Sequence, residues 1–148
     1  MNHIRVTKEF TFEMAHALWN YDGACKNIHG HSYKLLVTII GQPSIDEDNQ
    51  KFGMVIDFKD LKSIVKSTII EKLDHSLVVY QRADKDDFQY VKKLYEKVHV
   101  FDFQPTCENL VVYCANQIQK RLPRHIMLHS IKLYETATSY AEWHRSDN

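Results

Sequence analysis

The chain has 148 residues, 44% hydrophobic and 26% charged, the profile of an ordinary globular protein long enough to bury a core. Its 19 basic and 19 acidic residues cancel, so no net positive field favours nucleic acid or an anionic membrane as partner. No stretch approaches the roughly 18 apolar residues of a membrane span, and no early apolar run reads as a signal peptide.

Ile4, Val6, Phe10 and Phe12 share one parity, which predicts a half-buried strand with a bulge near Lys8, where the alternation lapses. His16 follows that strand, and Asn20-Tyr-Asp-Gly23 is turn material. A second strand is predicted over residues 32–41, rich in β-branched side chains and stopped by Gly41-Gln-Pro43. Residues 44–52 read as a polar hairpin loop, and residues 54–57 as the short end of a third strand. Asp57 suits an N-cap, and Asp60 suits the positive end of the turn that follows. Leu61, Ile64, Val65, Thr68, Ile69 and Leu73 recur at helical spacing, predicting an amphipathic helix packed on a sheet.

A second helix is predicted from near Thr106 to about Leu122, with Leu110, Cys114, Ile118 and Leu122 on one face. In the insert between the helices, residues 84–87 read as a solvated charged loop or helix cap. Phe88, Val91, Tyr95 and Val98 there fit a short helix. The chain closes with two strand-like runs, 130–135 and 139–143, around Thr136-Ala-Thr138. The order implies one α+β domain over residues 1–148, an antiparallel four-stranded sheet with two helices on one face. Bare sheet edges are a liability, so sheets joined between subunits are expected. Three cysteines, Cys25, Cys107 and Cys114, make no disulfide framework, and the odd count suits a reducing, cytoplasmic setting.

Chemistry concentrates in Cys25-Lys-Asn-Ile-His29-Gly-His31, with His16 upstream in Phe12-Glu-Met-Ala-His16. On a strand, residues two apart leave the same face, so His29 and His31 point together and His16 can complete the set from an adjacent strand. Gly30 removes bulk where the chain passes near an ion. Three protein ligands leave a fourth position open, the layout of a catalytic rather than a structural zinc site. His3, His99, His125, His129 and His144 read as surface or packed residues.

Cys25 reads equally as an inert small hydrophobe or as a thiol activated by its polar loop. Asp74-His75 reads as the end of the first helix, or as a carboxylate that orients an imidazole for acid–base work. Thr106 and Glu108 read structurally as an N-cap and a first-turn acid. Glu135 reads as a solvent-facing strand residue, or as a carboxylate accepting a pair of hydrogen bonds from a ligand.

In this order, Phe12-Glu-Met-Ala-His16, Cys25-x-x-x-His29-Gly-His31, Leu73-Asp-His75, Pro105-Thr-x-Glu-Asn109 and Tyr134-Glu-Thr136 resemble the 6-pyruvoyl-tetrahydropterin synthase / 6-carboxy-tetrahydropterin synthase family over nearly the whole chain. The resemblance implies a T-fold whose sheets join across subunits into a barrel, commonly a homohexamer of two stacked trimers with active sites at subunit interfaces. It makes His16, His29 and His31 the Zn2+ ligands, Cys25 the catalytic base, and Asp74 with His75 a proton-transfer pair. Glu135 becomes the pterin anchor, with Thr106 and Glu108 near the pterin pocket. The implied substrate is 7,8-dihydroneopterin triphosphate, and the expected product is 6-carboxy-tetrahydropterin. The alternatives are 6-pyruvoyl-tetrahydropterin, a non-catalytic pterin- or zinc-binding module, and a T-fold enzyme of different chemistry.

Overall fold

The computed structural model describes residues 2–83 and 85–148, and of residues 85–87 the backbone alone. Among the described residues, six strands form one sheet: β1 (Ile4–His16), β2 (His29–Gly41), β3 (Ser76–Tyr80), β4 (Val98–Phe101), β5 (Met127–Tyr134) and β6 (Tyr140–His144). Their order across the sheet is β4-β3-β1-β2-β5-β6. β1–β2, β2–β5 and β5–β6 are antiparallel, whereas β1–β3 and β3–β4 are parallel. The expected four-stranded antiparallel sheet is therefore corrected to a six-stranded mixed one. The two added strands come from the insert, where Leu77, Val78 and Val79 supply a short apolar run and Val98-His-Val-Phe alternates. Each is too short to stand out by periodicity alone.

β1 pairs with β2 without interruption from Ile4↔Gly41 to His16↔His29, so no bulge sits at Lys8. Lys8 keeps the parity of Ile4, Val6, Phe10, Phe12, Met14 and His16, and occupies an inward slot near the rim. The register shift lies instead between β2 and β5, at Thr38/Ile39. Residues 54–57 form no strand. They close the 44–52 loop through Ser44 N to Met54 O at 3.0 Å, with Gly53 taking the positive φ of 79° that the turn demands.

Among the described residues, four α-helical segments accompany the sheet. α1 (Phe58–Val65) is N-capped by Asp57, whose side chain accepts from Lys59 N. It continues through a π-helical stretch (Lys66–Ile70) into α2 (Glu71–Leu73). The buried series Leu61, Val65, Ile69, Leu73 advances by fours, and at 3.6 residues per turn such a row drifts by about 40° per step. A wider π turn takes up that drift and keeps the row on the sheet. α3 (Lys85–Leu94) bears out the short helix expected in the insert, although Tyr95 lies beyond its end and Val98 opens β4. Asp84, one end of the charged run expected as loop or cap, lies outside the described residues, as do the side chains at 85–87. α4 (Cys107–Gln119) is capped by Thr106 and stops short of Leu122.

One face of the sheet (Phe10, Phe12, Met14, Tyr33, Leu35, Val37, Ile39, Ile131, Leu133) meets α1 and α4 in a continuous buried core. The other face lies away from α1 and α4 and presents residues such as Glu13 and Ser32. No helix among the described residues is long and apolar enough to cross a membrane.

Candidate metal centre and acid–base pair

His16 ends β1 and His29 begins β2, and the two are direct cross-strand partners. His31, opposite Met14, leaves the same helix-covered face two pairs further along. The ligand-capable atoms of these three histidines all lie within 4.8 Å of one another. His16 Nδ1 donates to the Pro105 carbonyl at 2.8 Å, and His29 Nδ1 to the Asn27 carbonyl at 2.8 Å. Each carbonyl fixes a tautomer and turns a bare Nε2 inward, as ligating imidazoles require.

The two Nε2 atoms lie 3.0 Å apart, so their lone pairs repel unless a proton or a cation stands between them. Tetrahedral zinc with nitrogens at 2.0–2.1 Å sets its ligands about 3.3 Å apart. His31 Nε2 is buried without a hydrogen-bond partner. Its nearest acid, Glu135 Oε1, is 3.7 Å away, too far for a hydrogen bond. Burial holds the His16 pKa below its ordinary 6.5, against the Pro105 carbonyl and Glu135, which pull it up. A partly buried, pre-aimed nitrogen set with one orphaned member fits a divalent metal.

Gly30 plays a different part from the one expected. It lies on the opposite face from the imidazoles, and a β-carbon there would touch Met14 O at an ordinary 3.4 Å. The space it leaves belongs to the side away from α1 and α4.

The Asp74–His75 pair is formed. His75 Nδ1 lies 3.0 Å from Asp74 Oδ1, which also accepts from Glu13 N at 2.9 Å. That backbone bond is the main reason the Asp74 carboxyl sits below its ordinary range, with His75 adding to it against partial burial. His75 adopts φ 58°, the left-handed region, and its own N–H donates to Glu13 O at 2.6 Å. His75 lines a cleft of about 700 Å³ with Glu13, Ala15, Gly30 and Ser32, residues of the face away from α1 and α4, and with His31 of the triad. Within one chain the pair's cleft therefore opens mainly on the face away from the triad's imidazoles, with His31 bordering it.

Cys25 sits half-buried in a 3-10 turn (Ala24–Lys26), whose following residue supplies the Asn27 carbonyl to His29. Its own carbonyl ties the turn to Leu18 N at 2.9 Å. Glu135 falls just past β5 rather than in it, where its backbone N donates to Ser139 O at 3.0 Å. Thr106 caps α4 through Asn109 N at 3.3 Å, and Glu108 is exposed in the first turn.

Several contributors escaped the sequence reading. Gln104 clamps Trp19 from both sides, accepting from its N at 3.0 Å and donating to its carbonyl at 2.8 Å, which ties the loop after His16 to the start of α4. Tyr33 continues the inward row of His29 and His31 and buries a hydroxyl without a partner beside them. Burial pushes its pKa upward, so it stays a neutral phenol. The i, i+2 row that picked out the histidines runs on to Tyr33, and was the available signal.

A mixed sheet with α1 and α4 on one face, carrying a His16/His29/His31 set that could hold a metal, defines an α+β protein with a candidate metal site. Residues 5–146 match the model of the 6-pyruvoyl tetrahydropterin synthase family, and the chain belongs to that family. It is 38% identical over 141 residues to a 6-carboxy-5,6,7,8-tetrahydropterin synthase of Haemophilus influenzae, covering 94% of this chain and 97% of that one. It is 32% identical over 145 residues to a 6-pyruvoyl tetrahydrobiopterin synthase of Pongo abelii, covering 89% and 85%. A structure of the Caenorhabditis elegans 6-pyruvoyl tetrahydropterin synthase shares the fold, with TM-score 0.69 and 22% identity over 97% of this chain and 96% of that one.

Proposed function

We propose that the protein is a zinc-dependent 6-carboxy-5,6,7,8-tetrahydropterin synthase, a lyase that converts 7,8-dihydroneopterin triphosphate to 6-carboxy-tetrahydropterin, acetaldehyde and triphosphate. The observation that carries this is the imidazole set, with two Nε2 atoms aimed by backbone carbonyls and a third left orphaned, in a chain 38% identical to an enzyme of that name.

His16, His29 and His31 hold the ion, which when bound supplies Lewis acidity toward the oxygens of the substrate side chain. Cys25, as thiolate, takes the proton from the side-chain carbon beside the ring. His75, steadied by Asp74, returns a proton. Glu135 accepts from the amino-pyrimidine edge of the pterin and so fixes the ring, with Thr106 and Glu108 bordering the pocket. The pair's cleft opens mainly on the face away from the triad's imidazoles, so a working site combines the triad of one copy with the pair of another. A homohexamer of two trimers is the proposed assembly.

Incubating purified protein with 7,8-dihydroneopterin triphosphate tests the reading. Acetaldehyde and triphosphate in equal amounts are expected, lost on chelation and restored by zinc. Triphosphate without acetaldehyde would assign the 6-pyruvoyl product instead. No turnover by the zinc-loaded assembly would leave a binding module or another chemistry.

A further inference from the structure

The last turn of a helix leaves carbonyls without an N–H to bond. Where α2 ends, three successive carbonyls each receive a side chain. His99 Nε2 donates to Lys72 O at 2.7 Å, Ser76 Oγ to Leu73 O at 2.6 Å, and Lys97 Nζ to Asp74 O at 2.5 Å. His99 lies in β4, and Lys97 immediately precedes it. Leu77 N bonds Lys97 O at 3.0 Å, which locks this segment to β3.

Lys97 differs from the other two in where it acts. The Asp74 carbonyl belongs to the peptide that joins Asp74 to His75, and His75 holds a φ of 58° that side chains other than glycine seldom adopt. Three contacts over-determine this peptide: Glu13 N to the Asp74 carboxylate, His75 N to Glu13 O, and the ammonium of Lys97 on the carbonyl. Two come from the backbone of β1, and the third is a side chain from the insert. A cation also suits the negative end of a helix. A carboxylate only accepts, so His75 Nδ1 must carry the hydrogen that faces Asp74. That tautomer depends on how the peptide is held.

We propose that Lys97 is a positioning residue for the Asp74–His75 pair, pinning the peptide between them so that the imidazole meets the carboxylate. This rests on the reading of that pair as the proton-transfer couple. Glu13 from β1, His31 and Ser32 from β2, and Tyr95, Glu96 and Lys97 from the insert line the same cleft as His75. Lys97 alone among them donates to the pair's own backbone carbonyl.

The test compares Lys97→Ala, Lys97→Met and Lys97→Arg, with Lys93→Ala on exposed α3 as the control for lost charge. Steady-state kinetics and nitrogen NMR of the His75 ring are read together. In Lys97→Ala and Lys97→Met, kcat is expected to fall about tenfold with KM little changed, as for a loss of alignment rather than of binding. Lys97→Arg is expected to recover kcat to within about threefold, since it keeps a charged donor. The His75 ring should hold the Nδ1–H form in wild type and Lys97→Arg, and become a mixture of tautomers in the other two. Lys97→Met keeps the stem's packing and carries the comparison if Lys97→Ala does not fold. Wild-type kcat in Lys97→Met, or reduced kcat with an unchanged His75 tautomer, would overturn the proposal. If the wild-type protein makes no pterin product, the proposed function falls, and the NMR comparison still decides what Lys97 does.

Discussion

His31 Nε2 is the atom on which the metal reading turns. Buried and unpartnered, it costs stability in the empty chain and regains it when an ion arrives. His31→Ala is therefore expected to lose most bound zinc, measured by elemental analysis after dialysis against a weak chelator, and to abolish the zinc-dependent rise in melting temperature. Full occupancy in that variant would remove His31 as a ligand. The histidines were legible because spacing on a strand sets facing directly, whatever the rest of the fold does. Their orienting partners were not, since Pro105 O lies 89 residues from His16 and no local pattern announces a carbonyl. Asp74 carries a separate prediction. Its folded pKa lies below the ordinary 3.8, so its stabilisation is present above that value and is lost as the pH falls through the folded pKa. Asp74→Asn should therefore lie below wild type in stability near neutrality, and the gap should narrow below about pH 3.8 in paired urea titrations. A constant gap down to pH 2 would mean that the charge of Asp74 does not stabilise the fold.

At the scale of elements, helices and long strands were legible and short parallel strands were not. The row Leu61, Val65, Ile69, Leu73 announced a helix, and Asp57 announced its start. The same row, advancing by fours, held the signal for the π stretch at Lys66–Ile70, which a search for ordinary helical period passes over. β3 and β4 pair only through the parallel ladders β1–β3 and β3–β4, so their register depends on contacts remote in sequence. The bulge expected at Lys8 arose from reading a charged residue as a break in parity, when a lysine near the rim can bury its stem and still reach water. Ile69 belongs to the π stretch and is fully buried. Ile69→Ala should destabilise by about 2–5 kcal/mol if the wide turn delivers that side chain to the core. Denaturant unfolding measures it, and a loss below about 1 kcal/mol would show that the surrounding core collapses to fill the gap.

For the whole molecule, the question is how the triad and the acid–base pair come to act on one substrate. Within a chain the pair's cleft opens mainly away from the triad's imidazoles, and the sheet ends in two open edges, β4 and β6. Open edges are places where another copy can pair. Ile28 and Tyr95, which line the cleft beside His75, are large and exposed at 60% and 62%, leaving apolar surface for a second copy to cover. A site shared between copies makes a prediction that a site within one chain does not. Cys25→Ala and His75→Ala, each inactive by itself, should restore activity when dissociated together and reassembled. If Cys25 comes from one copy and His75 from its neighbour, random mixing in equal amounts leaves both intact at about a quarter of the interfaces. Recovery near that fraction, which disappears when the parents are mixed without dissociation, identifies an interfacial site. No recovery from a mixture shown by native mass spectrometry to contain hybrid assemblies would place the working Cys25 and His75 on one chain.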